Sequence, residues 1–422
     1  VILAHHWRGA GEALKERISA QRAGEYALRI STYADAITSF ERALALVPET
    51  TVDNEARRHL EADLLMKLGE ALLYHGAYDA AAIRLEKALT LFRALGEDSR
   101  TAQVLNLLGE GAWRQGEYAQ ARQFVSDGLT IGRRIDEKAS IARSLNRLGM
   151  VDVDEGDYVN AEQHFEASLE IAKVTNNLAE RATAINNLGI VAYSQGSYER
   201  AIEFFEETAE ICRASGERRK VASALLNLGS VAGVQGNLEG ATLYFEDALA
   251  ICRSIGERRG IALALDNLGY AASLRKDYDR ALTYFEESLT LARAIGDRQR
   301  IATILLNMGH VAKDRAGSAS ARDYFLQALH QAHVIHATPT MLEILIGLAE
   351  IEADHVRALS WLGMVQNHAA TTDAVKSQID ALIATLKGLL PADMLEHGLG
   401  EGAQANLETV IEELLREHSD AS

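Results

Sequence analysis

Cysteine and proline are nearly missing: two and three of them in 422 residues. The two cysteines, Cys212 and Cys252, form no C-x-x-C pair and occupy the same place in two successive repeats. Equivalent backbone atoms of neighbouring repeats are too far apart for disulfide geometry, so both read as small buried hydrophobes. With only Pro48, Pro339 and Pro391, proline-rich linkers are excluded. Positive charge is also short. Lys and Arg number 43 against 60 Asp and Glu, a net charge of -17, which argues against direct nucleic-acid binding and against an anionic membrane surface. No apolar run reaches the roughly 18 residues of a membrane span and no signal peptide is visible, so a cytoplasmic location is expected. The chain opens at Val1, inside what reads as a helix, and is expected to be a fragment of something longer.

Catalytic motifs are lacking too. There is no G-x-x-x-x-G-K-[ST] phosphate loop, no H-E-x-x-H and no G-x-S-x-G. Neither an enzyme nor a resident cofactor or metal is expected. His330, His333 and His336 stand at i, i+3 and i+6, a fan of roughly 120° on a helix, too wide for one metal. Asp152, Asp154, Glu155 and Asp157 surround Gly156, but Gln163 stands where a calcium loop needs its closing glutamate. Gly398, Gly400 and Gly402 read as a plain loop. Arg218, Arg219, Lys220, Arg258, Arg259, Arg298 and Arg300 read as solvated residues pairing with Glu217, Glu257 and Asp297.

What the chain has is repetition. Apolar residues make up 48% and charged residues 24%, a folded composition in a chain too long for one core. A solenoid escapes that limit, because each unit buries its apolar face against its neighbours. Leu-Gly recurs at a constant step of 40 in the numbering, at Leu68-Gly69, Leu108-Gly109, Leu148-Gly149, Leu188-Gly189, Leu228-Gly229 and Leu268-Gly269, and Met308-Gly309 continues it. Tyr78, Tyr118, Tyr158, Tyr198, Leu238 and Tyr278 keep the same step. So do the series from Ala81 to Ala321 and from Leu85 through Phe165 to Phe325. Within the unit starting near Val221, the apolar residues Val221, Leu225, Leu228 and Ala232 mark one helix face, Gly236-Asn237 breaks it, and a second helix runs from about Leu238 to Ile255. The glycine after leucine predicts a close helix approach, with the Phe series filling the wedge beside it.

The pattern Leu-Gly, Gly-x-Tyr, Ala, Phe-Glu, Ala-Leu resembles the tetratricopeptide repeat. The usual period of that repeat is shorter, about 34 residues. The extra length is expected to extend helix B and the inter-repeat turn. Ala23-Gly24, Tyr33, Ala36, Phe40, Ala43 and Pro48 match the shorter pattern in one leading unit. The resemblance implies an all-α fold: a right-handed α-solenoid of helix-turn-helix repeats with a helical C-terminal cap. The expected divisions are residues 1–58 (leading helices and one short unit), 59–340 (seven units of period 40) and 341–422 (a degenerate pair and cap). More loosely, Leu3-Ala4-His5-His6-Trp7 with Ala23-Gly24-Glu25-Tyr26-Ala27, and the tail around Ala381–Leu386 and Leu407–Ile411, are similar to the ends of the corresponding region in STAND-type signalling ATPases and transcriptional regulators. That similarity implies the sensor arm of a larger regulator.

In this repeat family helix A lines the concave surface, and the residue before the Leu-Gly leucine faces the groove. Here it is Asn187, Asn227, Asn267 and Asn307 in four successive units. Such a row can donate to and accept from an extended backbone, so the resemblance implies a protein or peptide partner. By helical phase Trp113, Tyr193, Asn146, Asn186, Asp266, Tyr270 and His310 join the candidate groove, Trp113 and Tyr193 as anchors. A small-molecule sensor and a self-association module remain the alternatives.

Overall fold

The structure is a computed structural model and describes Trp7 and residues 10–30, 32–51, 53–368, 371 and 373–421. Residues 3–6, part of the leading motif above, lie outside the described residues. Every regular element among the described residues is an α-helix. The leading unit contains α1 (Ala13–Arg29), α2 (Tyr33–Ala45) and the single turn α3 (Val47–Thr50). The regular units follow as pairs: α4 (Asn54–His75) and α5 (Tyr78–Leu95), α6 (Asp98–Arg114) and α7 (Tyr118–Arg134), α8 (Lys138–Asp154) and α9 (Tyr158–Val174). Then come α10 (Leu178–Ser194) and α11 (Tyr198–Ser215), α12 (Arg218–Val234) and α13 (Leu238–Ile255), α14 (Arg258–Leu274) and α15 (Tyr278–Ile295), α16 (Arg298–Ala316) and α17 (Ser318–Val334). The chain ends with α18 (Thr338–Ile351), α19 (His355–Asn367), α20 (Asp373–Lys387), α21 (Ala392–Gln404) and α22 (Leu407–Ala421).

The period of 40 is twice a period of 20. Residues 76, 96, 116, 136, 156, 176, 196, 216, 236, 256, 276 and 296 all have φ between 50° and 87°. One left-handed residue stops each helix and turns the chain into the next. Nine of the twelve are glycine; Asp136 and Asn176 are the short polar types that tolerate this conformation, and Lys276 is the costliest exception. The rhythm breaks where α16 runs on to Ala316 and Gly317 takes φ 91°, ψ -176° instead. Helix B is 13 residues long in the leading unit and 17 or 18 in α5, α7, α9, α11 and α13. The added residues therefore lengthen helix B. The inter-repeat turn does not share in them, contrary to the expectation, because each is closed by that single left-handed residue.

The Leu-Gly signature marks the closest approach within each pair. A Cβ on Gly149, Gly189 or Gly229 would lie 2.4–2.5 Å from the ring of Phe165, Phe205 or Phe245. The rings are buried against that bare backbone. Cys212 and Cys252 are buried and unbonded, and burial pushes both thiols up, Cys252 to about 11.

The helices form two compact units, one of residues up to 271 with 294–296, the other of 272–293 with 297–422. In the first, each helix from α1 to α13 packs on its neighbour in sequence, and α4, α6, α8 and α10 also touch one another in succession. The B helices α5, α7, α9 and α11 do not pack on each other to that degree. The A helices thus converge while the B helices splay, which makes the A side of this stack the inner one. In the second unit α16, α17, α18 and α19 continue the pairing. There α21 lies against α19, and α22 doubles back along α17. The Gly398–Gly402 segment corrects the sequence expectation of a loop: it is the middle of α21. Gly398 and Gly402 face α19, where Gly363 also lies at the contact, and Gly400 has nothing within 4 Å.

Candidate functional site

The inner face of the first unit is built from A-helix positions spaced by 40. The row before each leucine reads Lys67, Leu107, Arg147, Asn187, Asn227 and Asn267. Beginning at α10 it is amide. Asn187 is only 8% exposed and donates from Nδ2 to Asn146 Oδ1 at 3.4 Å. Asn227 repeats the bond one unit later, to Asn186 Oδ1 at 2.9 Å. These two row residues therefore reach back to the residue one place before the row in the preceding unit. Asn106, one place before the row, makes a different tie to the next unit, exchanging hydrogen bonds with Ser144 at 3.0 and 3.1 Å. An asparagine amide has two donors and an acceptor with two lone pairs, so one bond per step orients it and leaves capacity on each. Asn146, 7% exposed, keeps a buried Nδ2 without a partner, which normally costs about 1–3 kcal/mol. A double-mutant cycle on Asn186→Ala and Asn227→Ala is expected to give a coupling of about 1 kcal/mol in thermal unfolding; additive effects would mean the bond contributes nothing.

The other candidates divide. Asn267 is half-buried, Asp266 buried and Tyr270 53% exposed in the first unit. Asn307 and His310, both half-buried, belong to the second unit. There burial lowers the His310 pKa, and its ring stands edge-on to Phe325 at 5.2 Å. Tyr193 is half-buried with its ring 6.0 Å from that of Tyr198. Trp113 is no bare anchor. It packs on the Ala112, Ala121 and Val151 cluster, and its indole N–H donates to Asp154 at 2.5 Å. Burial pushes the Asp154 carboxyl up, against the pull of that bond.

The four acids around Gly156 do not converge. Asp152 is buried, 2.6 Å from His164 Nδ1 and 2.7 Å from the Arg122 guanidinium. Asp154 faces Trp113, and Asp157 caps α9 by accepting from Asn160 N at 3.2 Å. Among the described residues no group of three or more His, Cys, Asp or Glu is placed to hold a metal. His333 approaches Glu408 at 3.4 Å. The basic residues at helix A entries are partly used inside the fold: Lys220 donates to Ala179 O at 2.7 Å and to Thr183 Oγ1 at 3.2 Å. Asp297 and Glu257 turn their carboxylates to the backbone N–H groups of Arg300 and Gly260.

Sequence reasoning overlooked the charged half of the inner face. Glu110, 2% exposed, receives Arg114 at 2.8 Å, Arg147, and the Tyr74 hydroxyl at 3.3 Å. The Arg114 guanidinium also lies 5.5 Å from the Tyr74 ring centre. Burial pushes the Glu110 carboxyl up, but Arg147 and Arg114 outweigh it and hold it below the usual value. Burial and the Glu110 charge raise Tyr74 to about 12 and raise Glu70 as well. The signal was present in the register. An acid follows the Leu-Gly position of one unit and a base occupies the row of the next, as in Glu110 with Arg147 and Glu25 with Lys67.

A tetratricopeptide-repeat profile matches residues 60–134, 140–214, 180–254, 220–294 and 260–332. Among solved structures, the chain is similar to the Rap conjugation gene regulator of plasmid pLS20 in complex with a Phr peptide, with a TM-score of 0.54, 15% identity, and coverage of 89% of this chain and 99% of that one. It is similar to aspartyl phosphate phosphatase F from Bacillus subtilis, with a TM-score of 0.53, 13% identity, and coverage of 75% and 94%. It also resembles a STAND protein with a tetratricopeptide-repeat sensor from Pyrococcus horikoshii, with a TM-score of 0.49, 15% identity, and coverage of 84% and 54%. At these identities the likeness is one of fold. No curated protein matches the chain.

Proposed function

Because the chain belongs to the tetratricopeptide-repeat family, we propose that it is a non-catalytic scaffold whose inner A-helix face holds an extended peptide or protein segment. The observation that carries this reading is the amide row. Asn187 and Asn227 are tied to Asn146 and Asn186 of the preceding units, and so stand oriented at one-repeat intervals along the inner face. Oriented amides recognise a peptide backbone without regard to its side chains. Tyr193 and Tyr270, on helices that also carry row residues, offer aromatic surface. A related fold, the plasmid regulator, is described with a peptide bound. In this reading the A-helix face of the first unit, within residues 59–271, supplies the surface. Asn267 extends the row within the first unit. The similarity of the chain ends to STAND-type regulators supports a place as the sensor arm of such a protein. No helix among the described residues is long and apolar enough to cross a membrane.

The test uses peptides selected from a displayed random dodecapeptide library on the wild-type chain. The variant Asn187→Ala/Asn227→Ala/Asn267→Ala is expected to lose them by tenfold or more, roughly 1.4 kcal/mol, while its circular dichroism stays helical. Undiminished binding would sink the amide-row reading. A mass that rises with concentration in light scattering would favour self-association instead. A thermal shift with metabolites alone would favour an effector sensor.

A further inference from the structure

The register has one notch. Three residues after the leucine, the units carry Ala71, Gly111, Val151, Val191, Val231, Ala271 and Val311. Gly111 alone has no side chain, and a Cβ there would meet only Leu73 Cδ1, at 3.4 Å. Gly111 lines a small cleft of about 50 Å³, open to solvent, between α4, α5, α6 and α7. Its walls include Leu73, Leu107, Leu108 and Phe124, and its lining also includes Glu86 and Gln115. Leu107 stands in the row that Asn187 and Asn227 occupy later, so one wall of the cleft belongs to the continuation of that row. Glu86 is exposed and has no ion-pair partner among the described residues. A second acid, Asp79, lies next to the lining, accepting from Gln115 Nε2 at 3.3 Å.

We infer that this notch is a side-chain pocket for a lysine or arginine of the bound polypeptide, with its methylene stem in the cleft and its cation against Glu86. The chemistry of the site selects that occupant. Long basic side chains bury an apolar stem while the charged head stays in water, which matches apolar walls beside an unpaired carboxylate. An acidic side chain would be repelled by Glu86, Asp79 and a chain of net charge -17. A neutral aliphatic side chain would fill the walls but gain nothing from Glu86. The inference rests on the reading of the chain as a polypeptide binder and gives that reading a specificity: a basic residue in register with the backbone held by the amide row.

Methyl-resolved NMR with leucine-labelled full-length chain tests the pocket without knowledge of the partner, with n-pentylammonium and its neutral analogue 1-pentanol as probes. The ammonium is expected to shift the Leu73, Leu107 and Leu108 methyls saturably and to bind more tightly than the alcohol. Glu86→Gln should weaken it roughly three- to fivefold, the worth of one partly exposed charge contact. Gly111→Val should abolish the shifts, with Gly111→Ala as the milder variant should valine perturb the fold. No saturable shift in the wild type overturns the inference. So does equal binding of the alcohol with no effect of Glu86→Gln, which would make the occupant apolar. Since the probes report on the notch alone, failure of the amide row in the library experiment leaves this outcome readable, and the reverse holds as well.

Discussion

Replacing Glu110 with glutamine is expected to lower the stability of the first helical unit by about 2–3 kcal/mol, because two guanidinium groups lose their shared counter-charge. Glu110 is buried, and Arg114 and Arg147 both bond to it. Breaking a buried pair from one side leaves the other charge uncompensated, which is the costly direction. Arg147 is about a third exposed, with 32% of its side chain accessible, so water screens part of its loss and the lower end of the usual range applies. The damage should be local, since a repeat array behaves as a sum of unit and interface stabilities. Hydrogen exchange is the measurement. Protection should fall in α4, α6 and α8, which carry Tyr74, Glu110, Arg114 and Arg147, and hold in α16 to α19.

The same substitution has a pH signature. The Glu110 carboxyl is held below its ordinary value when folded. Its contribution is complete above the unfolded carboxylate pKa of about 4.3 and is lost as the pH falls through the lowered folded value. Wild type and Glu110→Gln should therefore differ most at neutral pH and converge in acid below about pH 4. Glu70 acts in the opposite sense. Burial and the nearby Glu110 charge raise its pKa, so it opposes folding while ionised and ceases to do so when protonated. A constant gap between the two proteins from pH 7 to pH 3 would show that Glu110 is not the titrating group.

Gly402→Val is expected to detach the end of the chain. A Cβ on Gly402 would lie 2.1 Å from the Ser360 carbonyl oxygen and 3.0 Å from the Met364 nitrogen. Both are backbone atoms of α19, so no rotamer change can make room. Helix α21 must move off α19, at about 3 kcal/mol or more, the severe end of overpacking. Gly400 supplies the control. Nothing lies within 4 Å of its Cβ direction, so Gly400→Ala should be neutral or stabilising by about 0.5–1 kcal/mol, the gain of replacing a mid-helix glycine. Thermal unfolding with hydrogen exchange separates the two cases. Equal melting curves for both variants would mean that the α19–α21 contact is not tight.

The repeat was legible because it rests on local rules applied many times. One left-handed residue every 20 positions ends each helix, and glycine marks most of those positions. A bare backbone at Leu-Gly faces a phenylalanine of the partner helix, Gly189 meeting Phe205 as Gly229 meets Phe245. These signals need no knowledge of the neighbours, so the all-helical solenoid follows from sequence periodicity. The place of the amide row on helix A was legible for the same reason. That Asn187 and Asn227 reach back to Asn146 and Asn186, and that Trp113 is engaged by Asp154, was not. Those contacts cross from one unit to the next, a whole repeat away in the chain, and depend on how far each A helix slides past its predecessor. The Gly398–Gly402 segment shows the other limit. Its closely spaced glycines carry a loop's composition, yet they form a helix, because α19 offers a surface that only a helix without side chains on that face can meet. Periodicity decided which residues turn inward; tertiary packing decided which of them hold each other and which are left to hold something else.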